Sequence, residues 1–251
     1  MNGPLLQAKG LSRRFGALRA IESVSLDLEP DTVHAVIGTN GAGKSTLINI
    51  LSGEIPASGG QVWLHGNNVT DWSQPRRAKA GLGRSYQRNT IFLPLTVREN
   101  CRLAAQAHGQ RPWAIWESAS RCAFSTERGD EAMERAGLAE HAGKPAASLA
   151  HGQKRQLEIA MCLATRPRVL LLDEPLAGMG AEESERMLEL LRSLRQGHGV
   201  LLVEHDMDAV FAVADRITVM VNGSVIASDA PEAIRCNEEV QVAYLGDEAS
   251  H

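Results

Sequence analysis

The sequence contains no apolar run long enough to cross a membrane. Apolar runs such as residues 169–172 and 200–203 have the length of strands, whereas a spanning helix needs about 20 apolar residues. The chain therefore cannot itself form a membrane channel. Its first four residues also lack a basic region followed by an apolar stretch, so we expect no secretion signal and a cytoplasmic protein.

The chain has no net positive charge and few cysteines. The formal net charge is -4, so no broad attraction to phosphate backbones exists and we expect no nucleic-acid partner. The four cysteines lie far apart without a paired short spacing, which argues against a zinc site and a disulfide framework. We expect reduced thiols at Cys101, Cys122, Cys162 and Cys236.

The 251 residues, 43% of them hydrophobic, are sufficient for one large globular domain. Strands and helices alternate in the predicted order, which favours a parallel sheet covered by helices. An Asn222-Gly223 pair predicts a hairpin, and Pro231 predicts a helix start. The pattern leaves residues 109–129 open between helix and loop. Predicted strands cover residues 24–28, 33–37, 169–172, 200–203, 217–221 and 224–227, and predicted helices cover 47–52, 96–107, 130–136 and 187–194. Residues 148–164 are predicted as a loop that leads into a helix.

A glycine-rich segment follows the predicted strand at 33–37 and precedes a predicted helix. It reads Gly38-Thr39-Asn40-Gly41-Ala42-Gly43-Lys44-Ser45 and is followed by Thr46, so it fits the pattern G-x-x-x-x-G-K-[ST]. Glycines let the backbone N–H groups turn inward around phosphates, the helix N-terminus adds positive potential, and Lys44 adds a point charge. The alternative is an ordinary glycine-rich turn, which the flanking strand and helix disfavour. We predict a nucleotide phosphate site, with Ser45 holding Mg²⁺.

Two carboxylates and a histidine follow two other apolar strands. Asp173 and Glu174 end the strand at 169–172, and His205 comes after the strand at 200–203. The carboxyl ends of parallel strands share one sheet edge, so all three reach the phosphate site. Asp173 suits a Mg²⁺ ligand, Glu174 a base for the attacking water, and His205 a contact to the terminal phosphate. Without the glycine loop, a solvated strand end and a structural histidine would be the better interpretation.

Together these residues resemble the ATP-binding cassette (ABC) family, from about residue 15 to 227. The resemblance implies an α/β fold: a P-loop NTPase core with a mostly parallel sheet, an N-terminal antiparallel β-subdomain and an inserted α-helical subdomain. It divides the single domain 1–251 into a core with β-subdomain (1–87 and 166–230), a helical signature subdomain (88–165) and a C-terminal helical tail (231–251).

The resemblance also assigns residues that the pattern alone does not. Gln87 matches a glutamine that contacts Mg²⁺ and the membrane subunit. Phe15 matches the aromatic that stacks on adenine, the alternative being a core aromatic. The loop of residues 176–179 matches one that touches the opposite subunit. The signature segment, which closes over the partner's nucleotide, is Leu149-Ala150-His151-Gly152-Gln153.

Two positions depart from the family pattern. Ala150 and His151 stand where Ser and Gly are common, so a hydroxyl that would bond the partner's terminal phosphate is missing. Without this hydrogen bond, we expect closure of the two subunits over the partner's nucleotide to be weaker by about 1.5 to 3 kcal/mol. Thr39 stands where many members have Pro, and we expect little effect because the position contributes mainly backbone.

Within the family, the chain looks most like the ATPases of branched-chain amino-acid importers. The resemblance is carried by the signature Leu-Ala-His-Gly-Gln, the run at 203–207 and the ending Ala-Tyr-Leu-Gly. This implies ATP and Mg²⁺ as cofactors and a place on the cytoplasmic face of the inner membrane. The implied partners are a second ATPase subunit, identical or different, permease subunits and, indirectly, a periplasmic binding protein. The alternatives are a urea or amide transporter, a soluble ABC ATPase, and a GTPase or small-molecule kinase. The last class is disfavoured because the chain has a signature segment and no Asn-Lys-x-Asp sequence.

Overall fold

The computed structural model describes residues 3–86, 91–109 and 123–248, with side chains up to residue 243. The described residues form two sheets flanked by helices. The strands are β1 Leu6–Phe15, β2 Leu18–Leu28, β3 Thr32–Gly38, β4 Gly59–Leu64, β5 Asn67–Asn68, β6 Leu82–Arg84, β7 Val169–Asp173, β8 Gly199–Val203, β9 Arg216–Val221 and β10 Ser224–Asp229. The α-helices are α1 Lys44–Ser52, α2 Gln74–Lys79, α3 Val97–Gly109, α4 Ala123–Arg135, α5 His151–Ala164, α6 Ala181–Leu194, α7 Met207–Val213, α8 Pro231–Arg235 and α9 Glu238–Glu248.

The larger sheet has the order β10-β9-β3-β8-β7-β6. From β9 to β6 the neighbouring strands are parallel, and only β10 pairs antiparallel with β9. β7 and β8 are buried at every position, as expected for strands covered on both faces. The predicted parallel sheet is confirmed, and the ends of β3, β7 and β8 lie side by side.

The smaller sheet is antiparallel, with the order β2-β1-β4-β5. The predicted strand at 24–28 is the end of β2, where buried and exposed residues alternate. β2 itself begins six residues earlier, at Leu18. Its first half is largely exposed, so the apolar alternation there is too weak to reveal a strand. The resulting fold has the expected α/β class, with a mostly parallel sheet and an antiparallel β-sheet from the N-terminal part.

Helices α3, α4 and α5 pack on one another around their own hydrophobic cluster, which includes Val97, Met133 and Leu157. The predicted helix at 130–136 is only the end of α4, which begins at Ala123. In its first half the buried positions are Ser125 and Gly129, and Gly129 lies against the backbone of Arg102. Because the contact uses small residues, apolar periodicity does not reveal that half. Residues 110–122, part of the stretch left open, lie outside the described residues.

The predicted hairpin is confirmed, since Asn222 and Gly223 join β9 and β10 with φ of 47° and 81°. Its tip reaches the glycine-rich loop: the Gly223 N–H donates to Ala42 O at 3.1 Å, and the Glu22 N–H donates to Gly223 O at 2.8 Å. The hairpin therefore fixes the glycine-rich loop to the antiparallel sheet. Among the described residues, no helix combines the length and the apolarity that spanning a membrane requires.

Candidate nucleotide site

The glycine-rich loop joins the end of β3 to the start of α1, as the sequence predicts. The Lys44 side chain is buried and turns back into the loop, where its Nζ donates to Gly38 O at 2.6 Å and to Thr39 O at 3.0 Å. Burial lowers the pKa of Lys44, and the nearby Glu174 and Asp173 carboxylates oppose that shift. A buried ammonium group with loop carbonyls as its hydrogen-bond acceptors is poised to donate to phosphate oxygens instead.

Two glycines of the loop have no room for a side chain. A Cβ on Gly38 would lie 2.1 Å from Met220 O, and one on Gly43 would lie 2.5 Å from Ala20 O. Gly43 also has a φ of 97°, which favours glycine, and it precedes the first turn of α1. The close contacts to β9 and β2 explain why the chain needs glycine at these two places. Asn40 and Gly41 at the tip of the loop are exposed, so the tip can meet a ligand from solvent.

Ser45 and Thr46 lie in the first turn of α1, and Ser45 is exposed. Asp173 is buried at the end of β7, where its Oδ1 has no hydrogen-bond partner among the described residues and its Oδ2 lies 3.9 Å from Arg84 Nη2. Burial raises the pKa of Asp173, Arg84 opposes the shift, and the Glu174 charge adds to it. A carboxylate with an unsatisfied buried oxygen beside a second carboxylate fits a divalent cation.

Glu174 and His205 lie together at the same edge, as predicted. The Glu174 N–H donates to Val203 O at 2.9 Å, so the ends of β7 and β8 are joined at this residue. Glu174 has a φ of 48°, uncommon for a residue with a side chain and typical of functional sites. Its Oε1 lies 3.9 Å from His205 Nδ1, and the His205 side chain is 61% exposed. The Glu174 charge also acts on Lys44 of the glycine-rich loop, and the exposed His205 side chain lies beside Glu174.

Glu204 is a site residue that the sequence analysis names only as part of the run at 203–207. Its carboxylate is fully buried and joins two loops, because Oε1 accepts from the Leu176 N–H at 2.9 Å and Oε2 accepts from the His205 N–H at 3.2 Å. Burial raises the pKa of Glu204, and these backbone donors oppose the shift. The sequence signal that could have identified Glu204 is its position as an acidic residue directly after an apolar strand.

Arg84 is a second residue that the pattern missed. It is nearly buried at the end of β6, and its Nη1 donates to Ser52 Oγ at 2.6 Å and to Glu54 Oε2 at 2.7 Å. Its Nη2 donates to Asn49 Oδ1 and faces Asp173. Arg84 thus ties the end of α1 to the carboxylate edge. No sequence signal marks it, because its partners come from distant parts of the chain.

Phe15 ends β1 and is 45% exposed, so it is not a core aromatic. The guanidinium of Arg13 lies 4.6 Å from the centre of its ring. An exposed ring at the end of the antiparallel sheet is available for stacking against a planar ligand.

Gln87 lies outside the described residues. The residue before it, Tyr86, is fixed by α5, since the Arg155 guanidinium donates to Tyr86 O at 3.0 Å and also pairs with Glu158. The start of the predicted glutamine segment is therefore held by the helix that follows the signature segment.

The signature segment forms the start of α5, with Leu149 buried, Ala150 as N-cap, and His151, Gly152 and Gln153 in the first turn. Gln153 Oε1 accepts from the Ala150 N–H at 3.1 Å. The Gly152 N–H donates to Glu183 Oε1 of α6 at 3.3 Å, and His151 Nε2 lies 3.1 Å from Ala177 O. In the described part of the chain these contacts are with α6 and the loop before it, and not with the glycine-rich loop.

We expect Ala150→Ser to stabilise the fold. Ala150 has the extended conformation of an N-cap but no side-chain oxygen, and the reciprocal bond from Gln153 is already present. A serine hydroxyl completes the capping box and stabilises by about 1 kcal/mol, which corresponds to about 2–4 °C in Tm for a chain of this size. Thermal unfolding measures the shift, and Ala147→Ser, at a nearby exposed position, is the matched control. Equal Tm changes in the two variants contradict the capping argument.

Strand β3 leads into the glycine-rich loop, which closes on the buried Lys44 and is followed by helix α1. Asp173 lies at the end of β7, two strands from β3 in the sheet. This arrangement makes the chain a P-loop nucleotide-binding protein. Comparison with solved structures agrees. The chain has a TM-score of 0.86 and 26% identity to a nucleotide-free ATP-binding cassette from an ABC transporter, covering 96% of this chain and 98% of that one. Against the ADP conformation of such a cassette the TM-score is 0.87 at 26% identity, covering 97% and 99%.

Comparison with known sequences defines the family. The ABC transporter family model matches residues 21–177, and a model described as a branched-chain amino acid ATP-binding cassette transporter matches 224–250. The chain is 39% identical to the high-affinity branched-chain amino acid transport ATP-binding proteins LivG of Escherichia coli and BraF of Pseudomonas aeruginosa, over 98% of this chain and all of each relative. The chain belongs to the ABC transporter family, and it is an ATPase whose activity is coupled to transport.

Proposed function

We propose that this chain hydrolyses ATP to drive the import of branched-chain or other hydrophobic amino acids through partner membrane subunits. The observation that carries this proposal is the 39% identity to LivG and BraF along their whole length. The second family match, at residues 224–250, supports the same assignment, because this region lies outside the part matched by the general ABC transporter model.

The residues at the sheet edge have separate roles in this proposal. Lys44 and the loop N–H groups of residues 38–46 hold the ATP phosphates, and Phe15 stacks on adenine. Ser45, Asp173 and Gln87 would hold Mg²⁺, which would neutralise charge on the phosphates of ATP. The unsatisfied Asp173 Oδ1 supports its part in that set.

Glu174 accepts a proton from the attacking water, and His205 contacts the terminal phosphate and helps to position that water. Their separation of 3.9 Å leaves both side chains beside the same space. Glu204 holds the backbone of His205 and of Leu176 in place, so the two loops keep a fixed spacing.

The signature segment serves the nucleotide of a second ATPase subunit, identical or different. Residues 149–153 lie at the start of α5, where the positive end of the helix dipole suits a phosphate of the partner's ATP. ATP then bridges the two subunits, and loss of the terminal phosphate lets them separate. The helical part, residues 88–165, and Gln87 pass this motion to the permease subunits. In this arrangement the chain is a peripheral protein on the cytoplasmic face of the inner membrane.

Reconstitution of the purified transporter complex in proteoliposomes tests the function. With the periplasmic binding protein present, we expect leucine, isoleucine or valine to stimulate phosphate release, and ATP to be preferred over GTP. The matched control is the same complex with Glu174→Gln. Stimulation by urea or short amides instead assigns the chain to a related transporter, and recovery of the native chain from cells with no membrane subunit bound to it supports a soluble ATPase.

A further inference from the structure

The signature segment is bonded to the loop that follows Glu174 in the same chain. His151 Nε2 lies 3.1 Å from Ala177 O, so a proton on Nε2 makes the ring a donor to this carbonyl. The ring also lies against Gly178, where φ is 77° and a Cβ would come within 3.3 Å of Nε2. The ring is thus held by one hydrogen bond and one close contact to the same loop.

Ala177 is itself bonded to the candidate base. The Ala177 N–H donates to Glu174 O at 3.2 Å, so His151, Ala177 and Glu174 form a continuous chain of contacts. The same loop is fixed on its other side by Glu204, which accepts from the Leu176 N–H. A shift of this loop therefore changes the backbone position of Glu174.

A second bond joins the two regions independently of the imidazole. The Gly152 N–H donates to Glu183 Oε1 at 3.3 Å, which connects the first turn of α5 to α6. With both bonds in place, the start of α5 follows the loop that joins β7 to α6. A glycine at position 151 could not make the first of these bonds, since it has no side chain.

We propose that His151 is a positioning residue that couples the signature segment to the loop carrying Glu174. The proposal rests on the proposed function, in which residues 149–153 hold the partner's nucleotide and Glu174 serves the chain's own. Binding of the partner's ATP at α5 then adjusts Glu174 through Ala177, and the two ATP sites of the dimer act together. Loss of the His151 bond weakens this coupling without touching the phosphate loop, while the bond from Gly152 to Glu183 remains.

The first test is spectroscopic and does not depend on catalysis. A long-range ¹H–¹⁵N spectrum of the purified full chain reports the tautomer of each histidine, and His151→Ala identifies the His151 signals. We expect the neutral His151 ring to carry its proton on Nε2. A ring protonated only on Nδ1 cannot donate to Ala177 O and overturns the proposal, whatever the transported solute is.

The second test uses the intact transporter complex with His151→Ala, His151→Gln and the control His65→Ala in the turn between β4 and β5. We expect His151→Ala to lower kcat by about 2- to 10-fold, the range of one hydrogen bond, and to lower the Hill coefficient for ATP. ATP binding to the purified chain stays within about twofold of the unaltered chain, because Lys44 and its loop are intact.

Glutamine can donate an amide N–H over a similar reach, so His151→Gln is expected to recover at least half of the lost kcat. Equal activity in His151→Ala and the unaltered complex overturns the proposal. Equal losses in His151→Ala and His151→Gln also overturn it, because they assign the effect to ring shape. If the unaltered complex binds ATP but no solute stimulates its ATP hydrolysis, the assigned cargo is wrong. The comparison of kcat among the His151 variants still tests the proposal in that case.

Discussion

Replacement of Glu174 by glutamine is expected to slow ATP hydrolysis by about 10² to 10⁴ while ATP binding is retained. The amide has the shape of the carboxylate but cannot take a proton from water. The phosphate loop and Lys44 are unchanged, and one negative charge near the phosphates is removed, so ATP affinity does not fall. Phosphate release and nucleotide binding measured on the same preparation separate the two effects.

The matched control for this variant is Glu182→Gln. Glu182 lies in the first turn of α6, its side chain is 87% exposed, and it pairs only with Arg186 on the same helix among the described residues. We expect normal hydrolysis in the control. Near-normal turnover in purified Glu174→Gln removes Glu174 from the role of base and leaves His205 or the phosphates themselves as proton acceptors.

Replacement of Lys44 by methionine is expected to weaken ATP binding by about 10- to 100-fold, since a hydrogen bond to a charged group contributes about 1.5–3 kcal/mol. Methionine keeps the length and the apolar part of the side chain but has no ammonium group. The Lys44 pKa is lowered by burial, so the charge is costly to hold in the fold until phosphate is present. Titration with ATP by calorimetry measures the loss.

Lys79→Met is the control for charge, because Lys79 is exposed at the end of α2. It changes net charge equally and is expected to leave ATP affinity unaltered. A Tm of Lys44→Met close to that of the unaltered chain excludes unfolding as the cause. Equal ATP affinity in the Lys44 and Lys79 variants contradicts the assignment of Lys44 to the phosphates.

The phosphate loop and the acidic pair were predictable because both are local. Glycines at 38 and 43 are required by the path of the chain between β3 and α1, and the Gly-Lys-Ser end sets the start of the helix. Asp173 and Glu174 follow a fully buried strand, which places them at a sheet edge once the sheet is parallel. Because β8 is the neighbour of β7 in the sheet, His205 after β8 lies close to Glu174.

Arg84, Glu204 and the first half of α4 were not predictable in the same way. Arg84 donates hydrogen bonds to residues of α1 and of the turn after α1, which lie 30 to 35 positions before it in the sequence. Glu204 accepts hydrogen bonds from the N–H groups of Leu176 and His205. The start of α4 packs through Ser125 and Gly129. Glu204 is marked only by its place directly after an apolar strand, and its partner Leu176 is distant in sequence. For Arg84 and the start of α4 the partners are distant or small, so neither apolar periodicity nor a motif marks them.

The sequence by itself determined the phosphate loop, the alternation of strands and helices that indicates a parallel sheet, and the family, because these depend on short-range backbone geometry and on residue spacing. The tertiary structure decided that Phe15 is exposed, that the 222–223 hairpin fixes Ala42, and that His151 meets the loop after Glu174. Such contacts depend on how elements far apart in the chain pack together, and packing follows from the shape and burial of the whole domain.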